Sequence, residues 1–190
     1  MLVGIGVEVT FEVIAAAALL RKLVPELRVR VVNVTDLMIL GPAGSHPHSL
    51  NDADWSNLFT KDRPIHFNYH GYPQELRGLI FGRPNLGDRI TIEGYREEGT
   101  TTSALDMMIQ NHTSRYHVAE AAVRGGSRFN ERVQVRSHEL ISELKHLVEK
   151  DKKYIYEDGA GELSSLVPSL AAAEQYPSDP EGTFDVPKFN

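Results

Sequence analysis

The segment His66–Asn111, HFNYHGYPQELRGLIFGRPNLGDRITIEGYREEGTTTSALDMMIQN, constrains the fold more than any other part of the chain. Strand side chains alternate, so Ile65, Phe67 and Tyr69 share one face while His66, Asn68 and His70 share the other. Gly71 and Pro73 then form a turn, Gln74–Phe81 a helix, and Asp88–Tyr95 a second strand with Ile90 and Ile92 inward and Thr91 and Glu93 outward. A charged turn from Arg96 to Ser103 opens another helix. Strand, helix, strand, helix is the repeating unit of a sheet covered by helices, so the class is α/β.

The remaining segments extend that unit. Leu2–Val7 reads as a short buried strand, with Glu8–Thr10 supplying a turn and an N-cap. The helix Phe11–Val24 is apolar almost all round, charged only at Glu12, Arg21 and Lys22. Its outer side therefore meets other protein or presents a surface of small alanines. Pro25 ends the helix, and the β-branched run Val29–Val34 has the composition of a central parallel strand, with Asn33, Thr35 and Asp36 near its carboxyl end. Asn51–Thr60 forms a short helix burying Trp55, Leu58 and Phe59. Ser103–Val123 is helical in one or two pieces, and Gly125 and Gly126 break the pattern. From Ser137 the apolar stripe of Leu140, Ile141, Leu144, Leu147 and Val148 marks a surface helix. Periodicity fades after Asp151, and the prolines at 168, 177, 180 and 187 suggest an extended or partly ordered tail. The expected organisation is an α/β domain over residues 1–150 and a tail over 151–190.

Composition narrows the function classes. The net charge is -6, from 20 basic and 26 acidic residues, and the basic ones are scattered, which is not a nucleic-acid surface. There is no cysteine, so thiolate chemistry and Cys-type zinc sites are excluded. The longest apolar run, Val13–Leu20, is far short of the roughly 20 residues of a membrane span. No nucleic acid and no membrane are expected as partners, and a cytoplasmic location follows.

Four groups of residues carry possible chemistry. His46 and His48, in GPAGSHPHSL, have neither a carboxylate nor a third histidine at close ligand spacing. His66, Asn68 and His70 suit acid–base or hydrogen-bonding work, or a polar seam against a neighbouring domain or subunit. The lack of an adjacent nucleophile or carboxylate pair favours the seam. Arg77 and Arg83 flank the end of a helix, where they complement its dipole or grip a phosphate. The turn through Arg96, Glu97, Glu98, Gly99, Thr100, Thr101 and Thr102 resembles an anion cradle, but two glutamates repel an anion and the hydroxyls serve as helix caps, with Thr101 or Thr102 at the capping position. No P-loop or G-x-G-x-x-G fingerprint occurs.

Three long motifs, LRVRVVNVTDLMIL, SHPHSLNDADWSNLFTKDRPIHFNYHGYP, and IEGYREEGTTTSALDMMIQN followed by SRYHV, resemble the C-terminal domain of phosphoketolases. These are thiamine-diphosphate enzymes that cleave xylulose 5-phosphate or fructose 6-phosphate with inorganic phosphate to give acetyl phosphate. The resemblance runs from about residue 2 to about residue 150. It departs at Ser103-Ala104-Leu105, where the family often has Thr-Pro-Phe, and at Ser114, where an Asp usually precedes the Arg-aromatic-His run. It implies a transketolase C-terminal-like architecture: three layers, with a mostly parallel sheet of about five strands flanked by helices. In that family the diphosphate and Mg2+ are held by an N-terminal domain, and the ring-activating glutamate comes from a middle domain. The resemblance therefore implies that this chain binds no cofactor itself and carries no catalytic residue. It implies a structural and dimerisation role, with other phosphoketolase domains or subunits and a second copy as partners. The alternative is an autonomous regulatory module that binds a phosphorylated metabolite through His70, Arg77, Arg83 and the Gly99–Ser103 turn.

Overall fold

The computed structural model describes residues 1–96 and 102–158. Glu97, Glu98, Gly99, Thr100 and Thr101, and the tail from residue 159, lie outside the described residues. The first strand, β1 (Leu2–Ile5), is buried along its whole length. It runs directly into α1 (Val7–Leu23) through Gly6, whose φ of 112° belongs to glycine's range. The expected start at Phe11 is therefore four residues too late. Thr10 does not cap the helix but lies in its first turn, its hydroxyl donating back to the Gly6 carbonyl at 2.6 Å.

Four parallel strands form the sheet among the described residues, in the order β2-β1-β3-β4. β2 is Val31–Asn33, β3 Ile65–Tyr69 and β4 Ile90–Glu93. Leu2 stands opposite both Val31 and His66, and Ile65 stands opposite Ile90. The β-branched run around β2 signals a strand but not its place. It lies at the edge rather than the centre, with Val31 37% exposed and Arg30 turned out to donate to the Leu58 carbonyl at 2.6 Å. The remaining strand of the expected five is not among the described residues.

Each sheet face carries its own apolar layer. On one, α2 (Asp52–Phe59) and α3 (Pro73–Ile80) bring Trp55, Phe59, Leu76 and Ile80 onto Phe67 and Ile92, with the Trp55 and Phe59 rings 4.3 Å apart. On the other, α1 lies on β1 and α5 (Arg115–Ser127) on α1 and β3, with α6 (Glu131–Asp158) outside them. Leu2, Val13, Leu20, Val118, Val123, Leu140 and Leu144 fill that layer. Helices of the same chain thus cover much of α1, while Val7 and Phe11 in its first turns stay exposed.

α4 (Ala104–Gln110) joins the far end of α6 in a small cluster of Leu105, Ile109, Val148 and Ile155. The helical run after Ser103 is therefore in two pieces. Gly125 and Gly126 do not break α5 but remain inside it. They permit close approach, since a Cβ on Gly126 would stand 2.6 Å from Leu27 Cδ1 and one on Gly125 2.8 Å from Pro64 Cβ. α6 also continues through Asp151 to Asp158, held by buried Ile155 and by the Tyr116 hydroxyl donating to Asp151 at 2.6 Å. The fading stripe hid this, because Ile155 is the one buried residue between Asp151 and Glu157. No helix among the described residues is long and apolar enough to cross a membrane.

The β1–α1 junction sets a sharp test. A Cβ on Gly4 would lie 2.8 Å from the Thr10 Cα, a backbone atom that cannot swing away, whereas one on Gly78 in α3 meets nothing within 4 Å. Gly4→Ala should cost about 1–3 kcal/mol of unfolding free energy through overpacking. Gly78→Ala should gain up to about 1 kcal/mol from helix propensity. Urea unfolding of the two variants beside the parent chain measures both, and equal effects would refute the junction described here.

Candidate functional site

The polar face of β3 is paired from within. His66 Nδ1 lies 2.9 Å from Thr91 Oγ1 on β4. The Asn68 amide donates to the Val9 carbonyl at 3.2 Å and the Thr113 carbonyl at 2.9 Å, tying β3 to α1 and to the segment before α5. The strand ends at Tyr69, so His70 leaves the ladder and stands in solvent 3.2 Å from Glu8. Only part of the seam lacks a partner: His66 Nε2 and Asn68 Oδ1 are buried without one.

The two arginines part company. Arg77 is exposed on α3, whereas Arg83 turns inward and donates to the carbonyls of Leu40 at 3.1 Å, Ile39 at 2.9 Å and Leu50 at 2.6 Å. Its guanidinium also stacks 4.6 Å above the Trp55 ring. With its donors engaged on carbonyls, Arg83 does not join Arg77 around one anion. Arg89 acts the same way on the carbonyls of Phe59, Thr60, Arg63 and Asn85. Periodicity gave no hint of these two buried staples, because a fork of five donors is satisfied by loop carbonyls remote in sequence.

The charged turn resolves into local contacts. Arg96 pairs with Glu93 at 2.7 Å and donates to His112 Nδ1 at 3.2 Å. Ser103, not Thr101 or Thr102, caps α4, accepting from the Asp106 amide at 3.2 Å. The Thr102 hydroxyl instead donates to the Asp106 carboxylate at 2.6 Å. Around the histidine-rich loop, a carboxylate does reach His48: Asp36, 2.6 Å away and twelve residues upstream. The His48 hydrogen bond, with a second from the Met38 amide, holds the Asp36 pKa below the usual carboxylate range.

A groove of about 1450 Å³ was not visible in the sequence. It is bounded by β4, α4, α5 and α6, and His66, Thr91, Ile109, His117, Leu144 and Val148 are among its lining residues. The His117 ring stacks on His112 with centroids 4.7 Å apart, and its Nδ1 lies 2.8 Å from the Ser114 hydroxyl. Burial, then the Met1 ammonium and His117, lower the His66 pKa to about 4. Burial and then His112 lower that of His117 to about 4. Both rings are neutral at pH 7 and work as hydrogen-bonding groups, not as charges.

The depressed His66 pKa makes stability depend on pH. The unfolded chain takes up this proton near pH 6.5 and the folded chain only near 4, so the contribution is present above 6.5 and is lost as pH falls through that window. The gap is worth about 3 kcal/mol. Unfolding free energy from denaturant titration should fall between pH 6.5 and 4, and His66→Leu should flatten part of that slope. An unchanged slope in the variant would contradict the buried neutral imidazole.

Two comparisons with known proteins place this geometry. A family model described as the XFP C-terminal domain matches residues 1–164. A probable phosphoketolase of Schizosaccharomyces pombe is 49% identical over 158 residues, covering 83% of this chain and 19% of that protein. Probable phosphoketolase 1 of Rhizobium meliloti is 43% identical over 144 residues, covering 74% of this chain and 18% of the relative. That of Bradyrhizobium diazoefficiens is 41% identical over 153 residues, covering 79% and 18%. The chain spans less than a fifth of the length of these curated relatives. On the match across residues 1–164, the chain belongs to the XFP C-terminal domain family.

Proposed function

We propose that this chain is the C-terminal structural and dimerisation domain of a cytoplasmic, thiamine-diphosphate-dependent phosphoketolase. The parent reaction would cleave xylulose 5-phosphate or fructose 6-phosphate with phosphate to acetyl phosphate and an aldose phosphate. One observation carries this reading: the family match over residues 1–164, together with relatives named phosphoketolase that are more than five times the span matched. In this proposal the domain braces other domains or subunits of the enzyme and takes no part in bond breaking.

A magnesium-bound diphosphate wants clustered oxygen ligands beside a phosphate-binding loop. Among the described residues no three His, Asp or Glu side chains converge where they could hold a metal ion. No step is routed through that group. A metabolite-binding regulatory module finds less support, since Arg83 is engaged on carbonyls and Arg96 on Glu93.

Exchange into a relative tests the proposal. The Schizosaccharomyces pombe protein, with its own matching segment deleted, should lose phosphate-dependent acetyl phosphate formation, measured as the hydroxamate. Replacing that segment with this chain should restore it, while the chain alone should form none above a protein-free control. Activity of the isolated chain, or full activity of the deletion, would overturn the assignment.

A further inference from the structure

α1 keeps an apolar face that its own chain leaves open. Val13, Ala16 and Leu20 on its inner side are buried in the layer shared with β1, α5 and α6. Val7, Phe11, Ile14 and Ala18 succeed one another at steps of four, three and four residues, the spacing of a heptad seam, and at about 3.6 residues per turn they fall on the opposite side. Val7 is 68% exposed and Phe11 37%, with Ile14 and Ala18 half-buried. Among the described residues, Ile14 and Ala18 belong to none of the three apolar clusters. A helix with its back to water carries polar residues there. On this one, charge flanks the stripe only at its ends, as Glu8 in the first turn and as Arg21 and Lys22 in the last.

The stripe is complementary to itself when turned end for end. Setting one α1 antiparallel to another, with a two-fold axis beside Ile14, brings Phe11 of each copy over Ala18 of the other, the largest side chain of the stripe against the smallest. The same operation carries Glu8 of one copy to the end where Lys22 of the other stands, twice per pair, and opposes the two helix dipoles. Both charges are open to solvent: the Glu8 side chain is 56% exposed beside His70, and Lys22 is exposed. A parallel pair would instead place Glu8 against Glu8 and Lys22 against Lys22. Ala18 also lets the two backbones approach to the roughly 8–10 Å between axes that packed helices adopt.

We infer that this stripe is where two copies of the chain meet, α1 against α1, antiparallel about a two-fold axis near Ile14. The inference rests on the dimerisation role proposed above and gives that role a surface. Val7 and Phe11 are then covered by the second copy, which removes from water apolar area that the described residues leave open. Ile14 meets Ile14 across the axis, and Val7 lies along the methylene stem of Lys22. The inner face of α1 is untouched, so Glu12 holds Arg115 in the same way in one copy or two.

The full chain has no cysteine, so Ile14→Cys introduces a single thiol at the axis, and Val135→Cys on α6, where the valine is 79% exposed, is a comparison of greater exposure away from the stripe. In a glutathione redox buffer the Ile14→Cys chain should form a chain-to-chain disulfide severalfold faster than the Val135→Cys chain. Glu8→Lys or Lys22→Glu, each added to Ile14→Cys, should slow it, because like charges then face each other, and the two reversals together should recover it. Equal rates at the two positions, or a double reversal as slow as the singles, would overturn the surface. Light scattering on the parent chain separates this inference from the role it rests on: a dimer without preference at Ile14 removes this surface alone, whereas a monomer without that preference removes the dimerisation role as well.

Discussion

The layer that carries the groove depends on one ion pair. Glu12 projects from α1 and its carboxylate takes three hydrogen bonds from Arg115: the Nε at 3.0 Å, a terminal nitrogen at 2.6 Å, and the backbone amide at 2.6 Å. Both side chains are almost wholly buried, at 4% and 8% exposure. Ser114, in the N-cap position of α5, makes no capping bond, because its hydroxyl is turned to His117. A carboxylate from the neighbouring helix therefore caps α5 and complements the positive end of its dipole. Burial pulls the Arg115 pKa down, but the Glu12 hydrogen bonds and charge outweigh it and leave it raised.

With α5 held in this way, the rest of the face follows. Val118, Ala119 and Val123 close on Val13, Ala16 and Leu20, and α6 lies across both helices through Leu140 and Leu144. α5 sits over β3 rather than β4, which leaves Thr91 and Glu93 uncovered and opens the groove. His66 is caught beneath it, its Nδ1 bonded to Thr91 and its Nε2 buried without a partner. Removing one partner of a pair this buried costs far more than the pair contributes, because it strands a charge. The pair is thus a device of orientation more than of stability.

The sequence carried the α/β class because its strands obey a period of two and its helices carry apolar stripes, from Ile65–Tyr69 to Leu140–Val148. What it withheld was relational. Val31–Asn33 looks central by composition, yet its position at the sheet edge is decided by which strand pairs with which. The extra apolarity of α1 left open whether other protein covers it or small alanines face solvent, and much of it lies under α5 and α6 of the same chain. Of the polar candidates, Arg83 gave no sign of its inward turn, because its carbonyl partners lie more than thirty residues away. Glu12 and Arg115 are 103 positions apart and stood out only as an isolated charge in an apolar helix and as part of a familial motif. The histidine pair His112 and His117 had a signal that spacing could have found, since five positions across a helix start can bring two rings together.

The central claim is that a buried carboxylate–guanidinium contact sets α5 on α1. A double-mutant cycle on Glu12→Leu and Arg115→Met, read by equilibrium urea unfolding, tests it directly. Each single change should lose about 3–5 kcal/mol by leaving its partner buried and unpaired, and the double change should lose much less than the sum. Losses that simply add would mean that the two side chains act independently, and that α5 is held in place by something else.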